Sequence, residues 1–355
     1  MSEESRYFDA SDKAYAFVKS IVTIDSLAAC VDHCWPREEM FEEYHGRAIE
    51  AGIDVIGMTV SYGQNDFMTM QKQASHFLQH VYGDVERFEI VRKVGDIQRM
   101  HDEGKHGLYF CAQGCELLNN DPEHFAPIVK NAGVGTVALA YNERFRAGDG
   151  CLVKNADKVT YYGQKVIDAL HQNHILLDLS HASAATALSA MEYSIKTAPE
   201  TPVVYTHSTP LAICDIYRNM RDEEIEMCAS TGGVISIVTL PWFIVDPMAQ
   251  ETEPHHIVRA IDYVRDLVGI DHIGLSSDDA YSWAPAWEWA LNKPEMYQDG
   301  GVTARAAINK PCGVAEAAKV YPAIVDLMWE GGYSDEDIKK VLGGNLMRVY
   351  GQVWG

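Results

Sequence analysis

"ILLDLSHAS", residues 175–183, decides the fold. Its apolar run is interrupted at Asp178 and ends at Ser180 and His181. A short apolar run of this kind reads as a strand buried on both faces, which parallel sheets use and half-solvated antiparallel sheets do not. Proton- or metal-binding groups at its end mark the carboxyl end of a parallel strand, where α/β proteins assemble their sites. Ser183 then stands where a helix N-cap belongs, ahead of "AATALSAMEYSIKT".

Seven further runs share the pattern: "SIVTIDSLA" (20–28), "GIDVIGMTV" (52–60), "GLYFCAQ" (107–113), "VGTVALAY" (134–141), "TPVVYTHS" (201–208), "GGVISIVTL" (232–240) and "HIGLSSDD" (272–279). Helical spacing fills much of the intervals, as in "EEMFEEYHGRAIEA", "KVTYYGQKVIDALHQN", "DEEIEMCAST" and "PHHIVRAIDYVRDLVG". Eight strand–helix units predict an α/β fold, a (β/α)8 TIM barrel, for which about 250 residues is typical. A doubly wound open sheet is the alternative. We expect one barrel domain over residues 1–355, with an aromatic-rich excursion at about 280–311. Trp283, Trp287 and Trp289 in it would serve a ligand pocket, a subunit contact or plain packing.

The 355-residue chain is 47% hydrophobic, enough for a large core, and carries a formal charge of −22. That charge argues against nucleic acid, which needs clustered Lys and Arg. Eight cysteines without a CxxC pair suggest reduced thiols. No run of about 18 apolar residues suggests a membrane span, and the polar start lacks a signal peptide's pattern. The expectation is a soluble, cytoplasmic protein.

His181 and His207 end the fifth and sixth runs, 26 residues apart, and project into one mouth. Two imidazoles at equivalent strand ends form a plausible metal site. Asp278 ends the eighth run and would ligate a metal or take a proton; Asp279, on the alternate face, points elsewhere. Arg218, eleven residues after His207, either clamps a substrate carboxylate or makes a surface salt bridge.

Together "DLSHAS", "PVVYTHST", "RNMRDEEI", "HIGLSSDD" and "VLGGNLMRVYGQVW" resemble, in order and spacing, the motifs of the membrane (renal) dipeptidase family of the amidohydrolase superfamily. The resemblance implies a barrel with a two-zinc site that hydrolyses dipeptides. It makes His181 and His207 ligands of one zinc, Asp278 the catalytic aspartate and Arg218 the carboxylate-binding arginine. Three strand ends depart from it. "TIDSLAAC" places Leu27 and Ala29 where the family has a His-x-Asp pair, Gln113 stands for the glutamate that bridges the zincs, and Tyr141 for a histidine.

These readings predict a metallohydrolase, dipeptidase-like, that cleaves an amide or related C–N bond in a small-molecule carboxylate substrate. One ion per chain, zinc or another divalent metal, sits on His181 and His207, with Asp278, Gln113 or water completing the shell. Asp278 moves the proton and Tyr141 supports the oxyanion; Arg218 and Gln113 bind substrate. Asp25, Cys30, Asp32, His33 and Glu116 are weaker candidates for replacement ligands. A lyase, decarboxylase or isomerase on the same barrel, and a metal-free binding protein, are the alternatives. A homodimer or higher homo-oligomer fits the family; no nucleic-acid or membrane partner is expected.

Overall fold

Each of the eight apolar runs forms a parallel strand, and their order along the sheet follows the chain. The structure, a computed structural model, describes residues 10–29, 39–246, 249, 252–280 and 314–355. The strands are β1 (Ile24–Ala28), β2 (Val55–Tyr62), β3 (Phe88–Ile90), β4 (His106–Gln113), β5 (Val134–Ala138), β6 (Leu176–Asp178), β7 (Val204–Ser208), β8 (Val234–Val238) and β9 (Ile273–Ser276). Strand β3, which the sequence did not announce, lies off this path and pairs with β4. The chain just beyond β9 returns to β1 through Asp278 N–H to Leu27 O (2.9 Å) and Ser277 N–H to Asp25 Oδ1 (2.8 Å), closing the barrel.

Side chains that line the strands divide between two cores. Ile56, Met58, Phe110, Val137 and Ile235 face the surrounding helices. Ile24, Leu27, Tyr109, Leu176 and Val234 cluster with Leu346, Tyr350 and Trp354 of the C-terminal helix Asn345–Trp354. Tyr109 donates to Ser26 O and its hydroxyl meets that of Tyr350, each at 2.6 Å. This packing forbids side chains at two places: a Cβ on Gly57 would lie 2.7 Å from the Tyr109 ring, and one on Gly135 would lie 2.5 Å from the Trp354 indole. With one end plugged, the carboxyl end of the strands is left to form the site.

Local signals behave as read. Ser183 Oγ accepts Thr186 N–H at the start of helix Ala184–Thr197, and Asp222 opens helix Asp222–Ser230 with Glu223 and Glu224 in its first turn. From Tyr281 onward the aromatic excursion, with its three tryptophans, lies outside the described residues, as do Cys30, Asp32 and His33. Among the described residues no helix is long and apolar enough to cross a membrane.

Candidate active site

Two strand ends carry unusual backbone. His181 has φ 69° and Asp278 φ 46°, a left-handed conformation that few residues other than glycine adopt. Hydrogen bonds hold both turns: His181 O accepts Cys151 N–H at 2.8 Å, and Asp278 N–H is bound to Leu27 O. The turns belong to opposite parts of the barrel, the loop after β6 and the loop after β9. Both side chains are buried, each 7% exposed.

His181 Nε2 lies 2.8 Å from His207 Nε2 and 2.8 Å from Gln113 Oε1. The orientation of the Gln113 amide follows from its far side. Thr59 gives its only proton to Ala28 O, so its oxygen accepts Gln113 Nε2–H and leaves Oε1 facing His181. At the other edge of the His181 ring, Nδ1 lies 2.6 Å from Asn142 Oδ1, which also accepts the Cys151 thiol. The Tyr141 ring stacks on His181, centroids 4.1 Å apart, and Tyr62 meets Tyr141 edge-on.

Burial, reinforced by the Arg218 charge, keeps both imidazoles well below their usual pKa; the neighbouring His207 lowers His181 further. A neutral His181 has one proton for two flanking oxygens. Positive charge between the two Nε2 atoms and Gln113 Oε1 removes that conflict, and neutral imidazole is the form that binds metal. The donors therefore fit a divalent cation. Metal–ligand bonds of about 2.0–2.1 Å in a tetrahedral shell put donors about 3.3 Å apart, so the 2.8 Å spacings would open by about half an ångström. Among the described residues no group of three His, Cys, Asp or Glu converges; beside the two imidazoles stands the Gln113 amide oxygen.

On the opposite wall β1 offers nothing comparable. Leu27 is fully buried in the apolar interior, and Ala29 has no donor. Asp25 is fully buried nearby: Oδ1 accepts Ser277 N–H and Leu27 N–H, while Oδ2 has no partner among the described residues. Burial raises its pKa to about 7. Asp278 is pushed up to about 8, mainly by burial, with Arg218 opposing and Asp25 and Asp178 reinforcing. Asp279 accepts Ala280 N–H in its own turn.

Arg218 makes no ion pair among the described residues. It donates to Ser208 Oγ and His207 O, both at 2.9 Å, stands over the Phe243 ring, and has a buried Nε–H without a partner among the described residues. Thus Gln113, His181 and His207 meet directly, Tyr141 touches His181, Arg218 touches His207, and Asp278 lies within electrostatic reach of Arg218. Sequence reasoning missed Asn142 and Thr59, whose contacts span 39 and 54 residues and leave no local signature.

Comparison with known proteins bears on the family and the fold. Residues 50–298 match the family described as "Membrane dipeptidase (Peptidase family M19)". Dipeptidase tcpJ of Claviceps purpurea is 25% identical over 309 residues, covering 82% of this chain and 63% of that protein. The chain spans between 34% and 63% of the length of the first curated relatives it matches. An amidohydrolase from Pseudomonas aeruginosa superposes with a TM-score of 0.81 at 23% identity, covering 96% of this chain and 99% of that one. A metallo peptidase from Rhodobacter sphaeroides, liganded with a phosphinate mimic of the dipeptide L-Ala-D-Ala, gives 0.74 at 17%, covering 94% and 99%. The fold is thus a (β/α)8 barrel, and the chain belongs to the membrane dipeptidase family, peptidase family M19.

Proposed function

We propose that this chain hydrolyses the C–N bond of a small carboxylate-bearing amide, a dipeptide or an N-acyl amino acid, using one divalent cation per chain. The observation that carries the reading is the meeting of His181 Nε2, His207 Nε2 and Gln113 Oε1 in one buried mouth. A cation held by these three residues supplies Lewis acidity toward the substrate carbonyl and the attacking water. A second ion lacks donors at Leu27 and Ala29, and the neutral Gln113 does not offset the repulsion between two dications.

The chain's own groups supply the other functions. Arg218, anchored on Ser208 and His207 O, keeps its Nε–H and remaining N–H groups for the substrate carboxylate. Asp278 takes the proton of the attacking water and delivers it to the amine nitrogen as the C–N bond breaks; a pKa near neutrality suits both transfers. Tyr141, seated against His181, donates its hydroxyl to the carbonyl oxygen as that atom gains charge.

The test combines metal analysis of the purified protein with a panel of dipeptides, L-Ala-D-Ala among them, and N-acyl amino acids. Zinc or a similar ion at one per chain, and products that together contain one added water, are expected. Conversion without added water would favour a lyase or decarboxylase step instead. Full activity in His181→Ala, or in rigorously metal-free protein, refutes the reading.

A further inference from the structure

Asp178 has no place in the mechanism above, yet it is 1% exposed and closely engaged. Its Oδ1 accepts Ser180 N–H (2.9 Å) and Thr206 N–H (3.1 Å), and its Oδ2 accepts the Thr206 hydroxyl (2.6 Å). One carboxylate thus ties the turn that carries His181 to the strand that carries His207. Ser180 adds a second tie by accepting His207 N–H on its Oγ (3.2 Å).

The proton count along this chain is decisive. Thr206 Oγ1 lies 2.6 Å from Asp178 Oδ2 and 2.7 Å from His207 Nδ1, and a hydroxyl has one proton to give. A carboxylate only accepts, so that proton goes to Asp178. Thr206 then presents a lone pair to His207, and Nδ1 must be the protonated nitrogen. His207 Nε2 is left bare, facing His181 Nε2.

We propose that Asp178 and Thr206 are positioning residues that lock His207 in the Nδ1–H tautomer and so aim an electron pair at the meeting point of the site. The consequence for cation binding rests on the reading given under Proposed function; the tautomer itself does not. Partners of this kind, which orient a metal-binding histidine through its other nitrogen, commonly change metal affinity 10- to 100-fold when removed.

The discriminating variant is Asp178→Asn, which conserves volume. With Oδ1 kept on the two backbone N–H groups, the new amide N–H faces Thr206 Oγ1. The threonine proton must then turn to His207 Nδ1, and the ring must carry its proton on Nε2. The relay is inverted without removing an atom from the core.

The measurement is ring-nitrogen NMR of protein labelled with ¹⁵N-histidine, in chelator, with His207 assigned, paired with calorimetric titration of zinc. The wild type should show protonated Nδ1 and bare Nε2 at His207. Asp178→Asn should show the reverse, and zinc affinity should fall by about 10- to 100-fold. Thr206→Val should lose the preference, and Thr206→Ser should restore both tautomer and affinity, which guards against a variant that merely folds poorly. Protonated Nε2 in the wild type, or a folded Asp178→Asn that keeps Nδ1–H, overturns the proposal. If the tautomers invert as stated but the wild type binds no divalent cation, the lock stands and the reading under Proposed function falls.

Discussion

Asp25→Asn should make the protein more stable as pH rises relative to the wild type. The carboxyl of Asp25 is fully buried, with one oxygen on Ser277 N–H and Leu27 N–H and the other without a partner among the described residues. Burial raises its pKa from 3.8 to about 7, against the lowering pull of those hydrogen bonds. A folded pKa above the unfolded one means that the fold prefers the protonated form. That preference is intact below the ordinary value and is lost as pH climbs through about 7.

About three pH units at about 1.4 kcal/mol each set a ceiling near 4 kcal/mol, of which roughly 2–3 kcal/mol falls between pH 5 and 8. Asparagine keeps the acceptor and replaces the other oxygen by an amide nitrogen in the same buried place. This costs about 1–3 kcal/mol but does so at every pH. Urea unfolding of both proteins in chelator, at pH 5 and pH 8, isolates the titration. The difference in stability, variant minus wild type, should rise by about 2–3 kcal/mol between the two pH values. Loss of the Asp25 charge also eases ionisation of Asp278, which acts with the same sign. A difference that stays flat, or that moves against the variant at pH 8, refutes the assignment of Asp25 as a strained buried carboxyl.

Arg218→Met should raise KM for a carboxylate substrate about 10- to 100-fold, the scale of a charge-assisted hydrogen-bond pair, with a smaller change in kcat. Because Arg218 opposes the upward shift of Asp278, the rising limb of the pH–rate profile should also move to higher pH; an unmoved KM removes Arg218 from substrate binding. Gln113→Glu should destabilise the metal-free protein by about 2–4 kcal/mol, since it buries a charge and loses the donor to Thr59, yet bind zinc more tightly. Thermal shifts with and without zinc test this, and an unchanged zinc response places Gln113 outside the donor set. Ser183→Ala should cost about 1 kcal/mol in urea unfolding through loss of the cap on Thr186 N–H, and an effect near zero refutes the cap.

The barrel was legible because parallel strands buried on both faces appear as apolar runs, and because function places polar groups at one end of them. The three-residue β3 escaped since "FEI" is too short to show a period and pairs with a single neighbour. At the site, sequence reasoning could follow residues that stand at strand ends, such as His181, His207, Gln113 and Asp278. It could not follow what turns them. Asn142, Thr59 and Thr206 act through one oxygen each, on partners that adjoin them only in space or whose proton count needs the third group. Arg218 is the intermediate case, since its position was readable but the choice between surface pair and site residue depended on which carboxylates lay within reach.

The residues on β1 and β4 that depart from the family pattern are both firmly placed. Leu27 does not leave a hole where a donor is missing; it fills the interior with Ile24 and Tyr109, and its carbonyl accepts the Asp278 N–H that fixes the left-handed turn. Gln113 in turn is oriented by Thr59 and Ala28 O, so its amide has a defined donor side and a defined acceptor side, which a carboxylate lacks. A pocket that had merely lost its ligands would be expected to show loosely packed replacements and unpaired polar groups at each lost position. Here the Leu27 side chain is packed in the barrel interior, and Gln113 is held by Thr59 with its other end on His181.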